Sequence, residues 1–187
     1  MGTRELLERG AKIDNPQATS FVLEFGVTCV RYKIGESDFQ GARDLISYLL
    51  DQVEMPLKHQ VKFLADRAKC YANLGSIDLA TEDFNKSNEQ ANGLADDILL
   101  DLMIAALTIA KAQDSESGDS DSAKDMDDYA TKLLLQLFNK GLFEYELARV
   151  MLRDEKTLDR LRDVPDLEVF FDQLPKTGKA PFPKQAP

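Results

Sequence analysis

The chain has 187 residues, 43 % hydrophobic and 30 % charged, with a formal net charge of −10. That length can bury a core as one domain or one short repeat array. The acidic balance, with no basic stripe, argues against nucleic acid or an anionic membrane as partner, and no run approaches the ~18 consecutive apolar residues of a membrane span.

Residues 1–15 contain one short helical pattern, Thr3 to Lys12, with Leu6 and Leu7 on its apolar side. No apolar signal core is present there, so export is not expected. Asn15-Pro16 predicts a cap followed by proline at the first helical position. The helix that follows runs to about Lys33, with Phe21, Phe25, Thr28, Cys29 and Tyr32 sharing one face, and Gly35 stops it. Ser37 or Asp38 caps a partner helix, Phe39 to Gln52, whose buried stripe is Ala42, Leu45, Ile46 and Leu49. Met55-Pro56 opens the next helix. It reaches a tight turn, Asn73-Leu74-Gly75-Ser76, with Leu64, Ala68 and Tyr71 before the turn and Ile77, Ala80 and Phe84 after it.

Leu94 to Gln113 is apolar nearly all round, which predicts burial on more than one side. The stretch 113–122 reads as an acidic, polar loop with nothing to bury. Its carboxylates depart from the EF-hand order, since Gly118 comes one place early, so no metal site is expected. Helical periodicity resumes at Ala123, with Tyr129, Ala130, Leu133, Leu134, Leu137 and Phe138 inward and Gly141 as the stop. Phe143 to Arg153 is a further helix, short elements follow at Lys156 to Arg162 and Asp166 to Leu174, and the Pro/Lys tail 175–187 is expected to be disordered.

The small residues keep a constant interval. Ala42 stands as far before Ala68 as Ala80 stands before Ala106, so a single repeat step carries Ala42 onto Ala80 and Ala68 onto Ala106. In order and spacing, residues 61–94 resemble the tetratricopeptide repeat, a helix–turn–helix unit of about 34 residues. Leu64, Ala68, Tyr71, Gly75, Ile77, Ala80 and Phe84 carry the resemblance, while Ser87 stands where the family has Ala. The first hairpin is looser and has one extra residue in its turn. The interval from Ala42 to Ala68 also separates Thr3 from Cys29, with Leu7 and Gly10 following Thr3, so Thr3–Lys12 resembles the second helix of an earlier hairpin. Tyr129-Ala130 through Gly141, then Leu158-Asp159-Arg160-Leu161-Arg162-Asp163 and Pro165-Asp166-Leu167, resembles the terminating segment of bacterial arrays often linked to serine/threonine kinases.

The resemblance implies an all-α, right-handed superhelix of tetratricopeptide-like repeats with a C-terminal helical cap. Its parts would be a partial helix of a preceding repeat at 1–15, repeats at 16–54, 55–93 and 94–141, capping helices at 142–174 and the tail. It implies a non-catalytic, cytoplasmic scaffold that needs no cofactor and binds a protein or peptide in a concave groove. By position that groove holds Leu23, Val27 and Val30, then Lys62, Ala65, Lys69 and Asn73, then Leu100, Met103 and Leu107. Lys62 and Lys69 would supply its basic centre. The alternatives are a regulatory segment of a larger kinase and a small helical ligand-binding protein or enzyme. Catalytic motifs for nucleotide, hydrolase and zinc-protease chemistry are absent. His59 reads as a surface histidine, and Cys29 and Cys70 as small packing thiols in a reducing compartment.

Overall fold

The computed structural model describes residues 16–91, 94, 96–117, 120–141 and 155–173, and every regular element among them is helical. The segments Thr3–Lys12 and Phe143–Arg153 and the tail from Pro175 lie outside the described residues. In chain order the helices are α1 (Pro16–Gly35), α2 (Phe39–Gln52), α3 (Leu57–Asn73), α4 (Ile77–Gln90), α5 (Asp96–Ser117) and α6 (Ser120–Asn139). Two 3-10 turns, Lys156–Leu161 and Pro165–Leu167, lead into a short helix, α7 (Glu168–Gln173). Among the described residues, no helix is long and apolar enough to cross a membrane.

Each helix packs on the next, so α1/α2, α3/α4 and α5/α6 form hairpins, and the first helices also touch, α1 on α3 and α3 on α5. Burial repeats with the sequence interval. The inward side of α2 is Ala42, Leu45, Ile46 and Leu49; one repeat step on, α4 buries Ala80, Asp83, Phe84 and Ser87. The next second helix, α6, buries Ala130, Leu133, Leu134 and Leu137 with the same internal spacing. That spacing is one face of a helix, and a small residue leads each set, where the helices come closest. Ser87, in the place of the expected Ala, is wholly buried and its hydroxyl donates to the Val61 carbonyl at 2.9 Å, tying α4 to α3.

The turns share the register. Ser37 and Gly75, one repeat step apart, both take positive φ, 61° and 75°. This is the left-handed conformation that ends a helix and that glycine adopts without steric cost. Asp38 caps α2, its Oδ1 accepting from the Gly41 amide at 2.9 Å. The first hairpin has no extra residue in its turn: residues 36–38 and 74–76 are connectors of equal length, and fully buried Val30 stands one repeat step before fully buried Ala68.

Two further expectations are corrected. The acidic stretch is not a loop over 113–122: α5 continues to Ser117 and α6 begins at Ser120. Gln113 is buried there and its amide donates to the Ser122 hydroxyl at 2.9 Å, so α5 and α6 stay paired to within a few residues of Ser117 and Ser120. On α1 the buried side is Val22, Leu23 and Val30, while Phe21 and Tyr32 are each 69 % exposed. Gly26 belongs to the buried side, where a Cβ would meet Leu49 Cδ1 at 2.8 Å.

Apolar side chains form two clusters that share α3. Phe63 and Cys70 face α1 and α2, while Val61, Ala65, Ala68 and Ala72 face α4, α5 and α6. The apolar α5 helix lies at the centre of the larger cluster, as expected. The closing segment adds Leu158, Leu161, Leu167 and Phe170 to it. Arg160 fastens that segment: Nε and Nη2 bind the two oxygens of Asp127 at 2.9 and 2.6 Å, and Nη1 binds Asp114 at 2.6 Å.

Candidate functional site

The residues expected to line a groove lie on one continuous strip of α1, α3 and α5, but most of that strip is covered. Leu23 and Val30 are buried with α2 and with Phe63 of α3, and Val27 is half-buried beside them. Ala65, Met103 and Leu107 are fully buried in the larger cluster, and Leu100 is half-buried against it. The physical reason is the contact between successive first helices, which closes the strip where an open concave lining was expected. These apolar residues are therefore core and packing residues.

Lys62 and Lys69 are not free cations. Lys62 Nζ lies 2.7 Å from Asp97 and 3.8 Å from Asp101, both on α5, and Lys58 joins Asp97 at 3.2 Å. Lys69 Nζ pairs with Asp66 one turn earlier at 2.5 Å. The result is an ionic seam between α3 and α5. Burial, together with the charge of Asp66, pushes the Asp101 carboxyl above its ordinary value, against the pull of Lys69, Lys62 and Arg31 of α1. Desolvation works to lower Lys69, but Asp66 and Asp101 outweigh it and raise it. Burial likewise opposes ionisation of Asp97, and the hydrogen bonds from Lys62 and Lys58 hold it below the usual carboxylate value. Reversing either lysine would set like charges together in this half-buried seam, so its first effect is on folding rather than on recognition.

Asn73 alone of the expected set is well exposed. It lines an open cleft of about 410 Å³ with Gly75 and, across from them, Thr108, Lys111, Ala112 and Ser115 of α5. The cleft exists because α5 outruns α3: Lys111 stands one repeat step after Asn73, at the equivalent point, and α5 then continues to Ser117. Several donors are already engaged. Asn73 Nδ2 donates to the Lys69 carbonyl at 2.8 Å, Thr108 Oγ1 to that of Ile104 at 2.7 Å, and Ser115 Oγ to that of Lys111 at 2.9 Å. Among the described lining residues, Lys111 is the one ionisable side chain and it is exposed. A second, smaller cleft of about 260 Å³ shares Gly75 and runs along Ser76, Asp78 and Leu79, the last 46 % exposed. Sequence reasoning missed the α5 side of this site. The signal was present, since the repeat step carries Asn73 onto Lys111.

His59 sits between α1 and α3, with Nε2 3.6 Å from Glu24 Oε1. The cysteines are unpaired, and burial pushes the Cys70 thiol up to about 12. That thiol is a packing group. Comparison with family models, with curated proteins and with solved structures returned no match.

Proposed function

We propose that the chain is a tetratricopeptide-like repeat scaffold, non-catalytic, that captures an extended peptide segment of a protein partner. The observation that carries this reading is the register of burial: one four-position set recurs on α2, α4 and α6, and positive-φ residues recur in the two short turns. A stack of hairpins whose first helices touch one another is the packing that a right-handed repeat superhelix requires. The closing segment, which lays Leu158, Leu161, Leu167 and Phe170 over α5 and α6, fits the role of a cap on the last apolar face.

The binding surface is the pair of clefts around Gly75. Their open shape suits an extended chain. Lys111 would meet an acidic or polar group, and Leu79 an apolar anchor. The rival reading, an enclosed pocket for a small ligand with clustered ionisable groups, finds less support in an open cleft whose described lining has one such group.

The test is selection of binding peptides from a displayed random library, followed by competition with two variants. Ala112→Arg fills the cleft from a half-exposed position, and Lys111→Glu reverses its charge. Binding of the selected peptides is expected to fall at least about tenfold in A112R, about 1.4 kcal/mol, with an unchanged melting temperature. Equal binding by both variants would remove the cleft from consideration.

A further inference from the structure

The outer side of α1 presents an apolar stripe to solvent. Phe21 and Tyr32 are each 69 % exposed, Phe21 stacks on half-buried Phe25 with ring centroids 6.0 Å apart, and exposed Thr28 completes the line. One repeat step on, these positions are His59, Phe63, Asp66 and Cys70 of α3, and a further step gives Asp97, Asp101, Ile104 and Thr108 of α5. In both helices the line is turned towards the first helix before it. His59 lies 3.6 Å from Glu24 of α1, and Phe63 and Cys70 share a cluster with α1. Asp97 and Asp101 lie 2.7 and 3.8 Å from Lys62 of α3. The same step carries the pair Glu24–His59 onto Lys62–Asp97, so one joint is used twice. Among the described residues, no first helix precedes α1 to meet its own line.

The other end of the stack is closed. The forward line of α3, Lys62, Ala65 and Lys69, corresponds to Leu100, Met103 and Leu107 on α5. Met103 and Leu107 are fully buried in the cluster that the closing segment completes, and Lys156–Leu161 packs on α5. A second copy stacked head to tail needs that face free, and it is taken. Two copies can therefore meet only at their open ends. Such a twofold contact closes on itself and does not grow into a filament.

The stripe is complementary to itself. Phe21, Phe25, Thr28 and Tyr32 stand four, three and four places apart, a spacing that reads the same from either end. Two α1 helices set antiparallel about a twofold axis place Phe21 against Tyr32 of the second copy, and Phe25 against the smaller Thr28. Glu24 and Arg31, both exposed, flank the stripe on one side, two turns apart. The twofold axis keeps that side in common, so each Glu24 lies beside Arg31 of the second copy. We infer that the α1 stripe is a self-association surface that joins two copies of the chain through antiparallel α1 helices. One helix line per copy covers less than the ~800 Å² per partner of a standard interface, so the dimer is reversible, with a dissociation constant on the order of 10–100 μM. The inference rests on the repeat register but not on peptide capture at the Gly75 clefts.

Sedimentation equilibrium on the full chain tests it. The fitted mass is expected to rise from that of one chain, 21.0 kDa, towards twice that value as concentration passes through the range given. Phe21→Ser/Tyr32→Ser should weaken association at least about tenfold. These two side chains already face solvent, so circular dichroism of the dilute variant should match that of the parent chain. Arg31→Glu should also weaken the dimer, and Glu24→Arg/Arg31→Glu should restore it, because the swapped charges meet again only across antiparallel helices. A mass of one chain up to about 1 mM, roughly ten times the weakest constant expected, overturns the inference; this is also the result if another segment of the same chain covers the stripe. So does a dimer that F21S/Y32S leaves unchanged, or one that the charge swap does not restore. The readout is mass rather than peptide binding, so this proposal and the A112R competition fail separately.

Discussion

Arg67 and Asp83 offer the sharpest test of how the middle hairpin is built. Arg67 Nε and Nη2 bind the two carboxylate oxygens of Asp83 at 2.6 and 2.9 Å, and Nη1 reaches Ser47 at 3.2 Å, so one guanidinium joins α3 to both α2 and α4. The Asp83 side chain is 5 % exposed and that of Arg67 18 %. The hydrogen bonds that Arg67 donates to Asp83 raise the Arg67 pKa further, so the guanidinium stays charged. Arg67→Ala would strand a buried carboxylate, which costs about 3–5 kcal/mol for a fully buried pair. The residual exposure of the guanidinium lowers the expected loss to about 2–4 kcal/mol.

The register supplies the compensating change. Position 83 corresponds to Leu45 on α2 and Leu133 on α6, and position 67 to Ala105 on α5. Arg67→Ala with Asp83→Leu would give the middle hairpin the residue types of the third, at a net cost of about 0–1 kcal/mol. Urea unfolding followed by far-ultraviolet circular dichroism measures both, and in a chain of this size R67A alone should lower the Tm by roughly 5–12 °C. A single-variant loss under about 1 kcal/mol, or a double variant as unstable as the sum of its parts, would refute the account.

Three further outcomes are expected. Ser37→Gly should stabilise the fold by about 0.5–1 kcal/mol and Gly75→Ala should destabilise it by about 1 kcal/mol, since both positions hold a positive φ; equal and opposite small shifts in urea midpoint would confirm the shared turn geometry. Asp101→Asn should be more stable than the parent chain at pH 7. The folded Asp101 pKa lies above its unfolded value, so the penalty of the buried charge is complete above the folded pKa and is relieved as pH falls through it. The advantage of D101N should therefore shrink in unfolding curves taken down towards pH ~4. Finally, with its thiol pushed up to about 12 by burial, Cys70 should react with iodoacetamide at pH 8 about a thousandfold more slowly in the native chain than after unfolding. Native-state labelling at the unfolded rate would contradict the packing described for α3.

The helices themselves were legible because helix formation is local. Periodicity, proline starts, the Asp38 cap and the positive-φ glycine at position 75 all act within a few residues of one another. The buried stripe of α2 follows from the same reasoning, as does the central place of an α5 that is apolar on most sides. The acidic segment shows the limit of composition. Its serines and aspartates look like a loop when taken alone, yet helix pairing between α5 and α6 carries them, with Gln113 and Ser122 bonded across.

What the sequence by itself determined is thus the all-helical character, the interval between hairpins and the residues that face inward on each second helix. Tertiary structure alone decided whether the strip along the first helices is open or covered, because that depends on how closely α1, α3 and α5 approach. It paired Lys62 with Asp97 and Asp101, and Arg67 with Asp83, residues from different helices whose meeting no local pattern encodes. It also left the aromatic stripe of α1 facing solvent and placed the open cleft where α5 outruns α3. Local chemistry sets each helix and its faces; which face is buried depends on the neighbour that arrives to cover it.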